Sequence, residues 1–308
     1  VSSDEGATWS DPRPICEGVE TGVPSDSSVM MKTRSGVIVM VFNDKATHKS
    51  DWDYEKIIAS EDTRNDVWTA RSFDDGQTWT DRQQILDGFG YFLDIIQTSS
   101  GDIIVPVQDL APERTRHVQY TFVSTDEGKT WTRSNMIDLG GHGDHDGAFE
   151  STLAELRDGR IQLLIRTSLD QFWRAYSFDG GRTWRVLEPS GIDASNSPGH
   201  LFRLSSGRLA LAWNRLYRLG ETSIRRTDEY WTFVSEHPSS WMRDQLSIIF
   251  SDDDGETWTE PVVILQAPSA ACYPNIFERR PGELWITTGP GKADSTAILL
   301  KESDFAGR

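Results

Sequence analysis

The chain has 308 residues, 37% of them hydrophobic, with 12 Trp and a formal net charge of −17. That length and apolar content suffice for a sizeable core in one large domain. The acidic balance argues against nucleic acid and anionic membrane surfaces as partners, since both are polyanions, although a local arginine cluster can still hold a small anion. No apolar run reaches the length of a membrane-spanning helix, so no membrane insertion is expected. The two cysteines, Cys16 and Cys272, lie far apart in no metal-binding spacing. They read as buried free thiols, with one disulfide as the alternative.

In chain order, the first element is an eight-residue box, SSDEGATW, at Ser2–Trp9. A Gly turn with an apolar run follows, SGVIVMVF around Gly36, then VWTARS and a second box, SFDDGQTW, at Ser72–Trp79. The order repeats with SGDIIVPV (Gly101), QYTFVS and STDEGKTW at Ser124–Trp131. It repeats again with DGRIQLLIR (Gly159), RAYSFD and SFDGGRTW at Ser177–Trp184. SGRLALAW (Gly207), LSIIFS and SDDDGETW at Ser251–Trp258 make a fourth unit, and PGELWITT (Gly282) begins a fifth.

The box S-x-D-x-G-x-T-W is the chemistry of a tight β-hairpin. Ser and Asp side chains bond nearby amides, Gly takes the positive-φ position, Thr opens the next strand, and Trp anchors the turn in the core. Acidic residues repeated this regularly are structural, and the spacing of a calcium loop is absent. Each unit holds four strands at a roughly 50–75-residue period, which predicts an all-β fold, a β-propeller. The first box lacks a preceding Gly turn, and the last Gly turn lacks a following box. Two closures fit. One is a six-bladed propeller whose first inner strands lie upstream of Val1, giving a single domain over 1–308 that is N-terminally incomplete. The other is a five-bladed closed ring. The absence of an initiating Met favours the first.

Strand polarity then places residues along the axis. With the box turns at the bottom, the top receives the starts of the inner strands: Asp26, Asp94, Glu150, His200 and Tyr273. It also receives the ends of the second strands, among them Gln108, Arg166 and Arg215, and the starts of the third, among them Asp66, His117 and Arg243. Acids, arginines, His and Tyr therefore gather at one end, where a ligand site belongs. The stretch GGHGDHDGAFE (140–150) delivers Glu150 to that end. His142, Asp144, His145 and Asp146 within it have the composition of a metal site, but so short a loop reads better as a solvated turn. Trp52 and Tyr54 could stack on a sugar but read better as loop anchors.

The boxes resemble the Asp boxes of the sialidase-like (BNR repeat) family, over essentially the whole chain. That resemblance implies six blades and an exo-α-sialidase-type glycoside hydrolase; no organic cofactor is expected, and a structural calcium ion would have no motif behind it. Its substrate carries a carboxylate on the anomeric carbon, which calls for arginines and disfavours an anionic nucleophile. The resemblance makes Tyr273, in CYPNIFERRPGELW, the nucleophile and Glu150, in FESTLAELRDGR, its base. It makes Arg166, in LLIRTS, and Arg243, in RDQLSIIFSDDDG, carboxylate ligands. Asp26, His200 and Arg215 are further substrate contacts by position. The family's Arg-Ile-Pro motif and its acid/base Asp are not found. The expected partner is a sialylated or other acidic glycan, and the expected location is secreted or periplasmic. Two alternatives remain: a hydrolase or lyase on another acidic sugar, and a non-catalytic carbohydrate-binding propeller.

Overall fold

A computed structural model describes residues 28–305 apart from 45–46, 225, 227–234, 238, 268–270 and 290–295, together with residues 4, 7, 8, 10 and 11. Asp26 and Cys16 lie outside the described residues. The fold is a β-propeller. The first sheet contains β1 (Ser28–Lys32), β2 (Ile38–Asn43), β5 (Val67–Ser72) and β6 (Thr80–Leu86). A small hairpin, β3 (Trp52–Asp53) with β4 (Ile58–Ala59), is inserted between β2 and β5. The second sheet runs β7 (Ile96–Gln97), β8 (Ile103–Leu110), β9 (His117–Ser124) and β10 (Thr132–Arg133). The third contains β11 (Ser151–Glu155), β12 (Ile161–Ile165), β13 (Gln171–Ser177) and β14 (Arg185–Asp193). The fourth contains β15 (His200–Arg203), β16 (Leu209–Trp213), β17 (Gln245–Ser251) and β18 (Val262–Gln266). The fifth holds β19 (Asn275–Arg280), β20 (Glu283–Thr288) and β21 (Thr296–Lys301).

Five blade sheets among the described residues, besides the β3–β4 hairpin, match the five-bladed alternative and correct the six-bladed reading. The reason is local. Each of the five Gly turns joins an inner strand to a second strand and so founds one sheet. The first box closes its own turn, with the Thr8 amide donating to Asp4 Oδ1 at 2.9 Å, but belongs to no described sheet.

Burial explains the strand composition. The second strands β12 and β16 are buried at every position, as is the third strand β17, because sheets pack on both of their faces. The outer strands β6 and β14 alternate with solvent, and their sequences turn polar.

The four later boxes share one geometry. In the box at Ser177–Trp184, Ser177 Oγ donates to Asp179 Oδ1 (2.8 Å) and accepts from the Gly181 amide (2.8 Å). Thr183 donates to the same carboxylate through its amide (2.8 Å) and its hydroxyl (2.6 Å). The boxes of Asp74, Asp126 and Asp253 repeat these bonds. The Thr78 and Thr257 donors hold the Asp74 and Asp253 carboxyls at about 2. The box glycine serves two ends. Gly181 has φ +83°, and a Cβ there would lie 3.0 Å from Ile104 Cδ1 of the preceding sheet. Gly128 meets Val39 in the same way at 2.9 Å. Each such turn thus nests against the neighbouring blade, where only glycine fits.

The innermost strands of all five sheets line a channel of about 900 Å³. Buried side chains tie four of these strands together. Asp94 Oδ2 accepts from Thr152 Oγ1 (2.7 Å) and the Leu153 amide (2.9 Å). Thr152 Oγ1 in turn accepts from the Leu201 amide (3.0 Å). His200 Nδ1 accepts from the Ile276 amide (3.1 Å), which leaves its Nε2–H facing Asp94 Oδ1 at 3.6 Å. Burial alone would push the Asp94 carboxyl up, but His200 and these donors hold it below the usual range.

Candidate active site

A pocket of about 380 Å³ opens at the end of the axis opposite the box turns. Three sheets bring four polar and charged residues to it. Glu150 immediately precedes β11, Arg166 immediately follows β12, Arg243 lies two residues before β17, and Tyr273 lies two residues before β19. Tyr273 Oη donates to Glu150 Oε1 at 3.3 Å. Arg166 Nη1 donates to Tyr273 Oη at 3.4 Å and pairs with Glu150 Oε2. Arg243 stacks its guanidinium on Trp241, 3.6 Å from the ring centroid, and lies 5.4 Å from the Tyr273 ring. The four residues singled out from the sequence therefore meet.

The two arginines differ in their partners. Arg166 is held through Nη1, by Glu150 and Tyr273, and through Nε, which donates to Asn196 Oδ1 at 2.7 Å. Arg243 donates through Nη2 to the Asn196 carbonyl at 3.0 Å and forms no ion pair with any described residue. Burial pushes the Arg243 guanidinium below its ordinary value, which marks a desolvated cation. Burial, then the neighbouring Glu150, pushes the Tyr273 hydroxyl up, so it is protonated at neutral pH and needs a base to become nucleophilic. Tyr273 also has φ +54°, a left-handed conformation that costs a β-carbon residue about 1 kcal/mol or more. Cys272 is a buried free thiol, raised by burial.

The loop at 140–150 is not a solvated turn. Asp144 and Asp146 are buried. Asp146 Oδ1 accepts from Ser168 Oγ (2.8 Å) and the Gly147 amide (3.0 Å), and its Oδ2 accepts from the Glu236 amide (2.9 Å). Asp144 Oδ2 accepts from Tyr54 Oη at 3.2 Å. The loop packs this tightly because Gly147, at φ +95°, lies on the backbone of His117, where a Cβ would sit 2.1 Å from the carbonyl oxygen. His145 faces the pocket between Phe149 and Trp241, and burial lowers its pKa.

His117 and Gln108 support Glu150 from beneath. His117 Nε2–H donates to the Asp144 carbonyl (2.9 Å), so Nδ1 accepts from Gln108 Nε2 (2.9 Å). Gln108 Oε1 then accepts from the Glu150 amide (3.0 Å). Burial lowers His117 to about 4, against about 6.5 in an unfolded chain. The unfolded state therefore takes up a proton below about pH 6.5 that the folded state refuses until about pH 4. Stability is full above that window and falls by about 3 kcal/mol as pH drops through it. Urea unfolding at pH 7, 5.5 and 4 should show this loss, and His117→Gln should remove it. An equal slope in both proteins would contradict the assignment.

Other top-ring residues do not reach the pocket. His200 faces the axial channel. Arg215 pairs with Asp193 (3.4 Å) and lies over Tyr217, away from the pocket. Asp66 pairs with Arg64. Conversely, Trp52 and Tyr54 line the pocket with Phe89 and Tyr91, giving it one aromatic wall. From the sequence Trp52 and Tyr54 read as loop anchors, with stacking on a sugar as the alternative. For Phe89 and Tyr91 no periodic signal exists.

Fold and site together define a β-propeller of repeated hairpin-box blades with a charged pocket over its axis. Residues 1–286 match the family model of the BNR repeat-like domain. The chain belongs to this sialidase-like family. It is 26% identical to a sialidase of Paraclostridium sordellii over 225 residues, 64% of this chain and 52% of that protein. A sialidase of Clostridium perfringens is 25% identical over 182 residues, covering 52% of this chain and 45% of that protein. The chain thus spans about half the length of these curated relatives. Among solved structures it is similar in fold to the Hadza microbial sialidase Hz136, with TM-score 0.69, 19% identity, and coverage of 98% of this chain and 58% of that one.

Proposed function

We propose that the protein is a retaining exo-glycosidase of the sialidase type, acting on a terminal sugar whose anomeric carbon carries a carboxylate. One observation supports this above others: Arg243, a half-buried guanidinium without a carboxylate partner among the described residues, stands beside the Tyr273–Glu150–Arg166 cluster. A desolvated cation in that position favours an anionic ligand group. Arg166 and Arg243 hold the substrate carboxylate. Tyr273 Oη attacks the anomeric carbon as Glu150 takes its proton, and the glycosidic bond breaks, its electron pair leaving with the aglycone oxygen, which takes a proton from solvent. Water then attacks the anomeric carbon and loses a proton to solvent, the tyrosine leaves as its oxyanion and regains its proton from Glu150, and configuration is retained overall. A neutral nucleophile suits a centre bearing a negative charge, where a carboxylate would be repelled. The sialidase names of the relatives support the choice of sugar. Glycoconjugates carrying such sugars are exposed on cell surfaces, which supports a secreted or periplasmic location.

The test is turnover of an aryl α-sialoside, followed by trapping with a fluorinated sialic acid and peptide mapping. The expected result is hydrolysis and a single sugar adduct on Tyr273. An adduct on another residue would refute the nucleophile, and absence of both turnover and sugar binding would refute the substrate class.

A further inference from the structure

We infer that Asn196 is the positioning residue that sets the two guanidinium groups of the site in one fixed arrangement. The inference rests on the anionic-sugar reading above for its kinetic consequence, but its geometry stands alone. Asn196 is 1% exposed and sits in the segment DASNSPGH between β14 and β15. Its side-chain oxygen accepts from Arg166 Nε at 2.7 Å, and its main-chain oxygen accepts from Arg243 Nη2 at 3.0 Å. One residue thus holds both cations, the first through its side chain and the second through its backbone.

Asn196 is itself held on its other edge. Its Nδ2 donates to Ser239 Oγ (2.9 Å), and its amide donates to Ser240 Oγ (3.2 Å). Flanking residues add to this. The Met242 amide donates to Ser195 Oγ (3.1 Å), and Ser197 Oγ donates to Asn214 Oδ1 (2.8 Å). The chain on either side of Asn196 is therefore pinned to the segment that carries Arg243 and to the end of β16. Two like charges brought close repel one another. A shared neutral acceptor holds them without adding a second negative charge to that of Glu150, which a carboxylate in the same place would do. That is the requirement for a site that must keep its positive field for an incoming anion. Asn meets it through an amide that donates on one side and accepts on the other.

The experiment compares Asn196→Ala and Asn196→Asp with the parent protein, by crystallography and by kinetics on an aryl α-sialoside. Asn196→Ala is expected to release Arg166 Nε and shift that guanidinium away from Tyr273. It should raise KM about tenfold, with a smaller change in kcat. Asn196→Asp is expected to keep Arg166 in place yet raise KM at least as much, because the added negative charge opposes the substrate carboxylate. A residue with a purely structural role would lower Tm in both variants and leave KM unmoved. Unchanged guanidinium positions in Asn196→Ala would overturn the inference, whatever the substrate. A KM within twofold of the parent in a folded Asn196→Asp would overturn its electrostatic half. If the parent protein itself fails to turn over the sialoside, the functional reading falls, while the crystal structures still decide the positioning role.

Discussion

Tyr273→Phe should cut turnover of an aryl α-sialoside by about 10²–10⁴-fold or more, at least the loss typical of removing a general base. Only one oxygen is removed. The ring still stands 5.4 Å from the Arg243 guanidinium, and the pocket keeps its shape. Both arginines remain, so the affinity for a free acidic sugar should change little. The informative comparison is therefore between kcat, measured on the aryl glycoside, and the Kd of the free sugar acid, measured by calorimetry. Turnover that survives in Tyr273→Phe would remove the tyrosine from the chemistry. Binding lost together with turnover would instead make the hydroxyl a binding group. An activated aryl leaving group departs with little help from an acid, so this assay isolates the nucleophile and its base.

Glu150→Gln should have two large effects of opposite kinds. Turnover should fall by about 10²–10⁴-fold, because Tyr273 Oη loses the group that accepts its proton. Binding of the free sugar acid should hold or tighten, because a carboxylate that competes for Arg166 has gone. Stability should fall as well. The Arg166 side chain is 4% exposed, and removing one partner of a buried pair costs up to about 3–5 kcal/mol. The Gln side chain recovers part of that by keeping a hydrogen bond to the guanidinium. Thermal unfolding, kcat and Kd together check the claim. A variant that loses binding in step with turnover would show Glu150 to be a ligand for the sugar and not a base.

The site was legible where strand polarity decides it. Glu150, Arg166, Arg243 and Tyr273 could be found because each stands at a strand end whose direction follows from a Gly turn or a box. The same count placed His200 and Arg215 at the top, and it failed there for a definite reason. Counting gives the height of a residue along the axis but not the direction of its side chain, and neighbouring residues of a strand face opposite ways. His200 faces the channel, and Arg215 turns to Asp193. Gln108 and His117 lay in the counted ring, yet their task, carrying the Glu150 amide, needs three-dimensional neighbours to be seen. Asn196 was missed because it precedes its strand by a few residues in a Ser-rich turn. Trp52 and Tyr54 belong to an inserted hairpin outside the four-strand period, so the repeat says nothing about where they fold back. The blade count failed by the same kind of oversight. A box marks a turn, whereas a sheet needs the Gly turn that pairs its strands.

The bonds among Asp94, Thr152, His200 and the amides of Leu201 and Ile276 act as a hub. Repeating folds ordinarily melt from an end, since each unit leans only on its immediate neighbours. Here Asp94 of the second blade faces His200 of the fourth, a coupling that skips the blade between. Thr152 and Ile276 extend it to the third and fifth. A spoke cannot leave such a wheel alone: opening any of these four blades breaks a bond that another depends on. The middle of the molecule should therefore open as one unit. That same rigidity keeps the strand ends still, and those ends carry Glu150 and Tyr273.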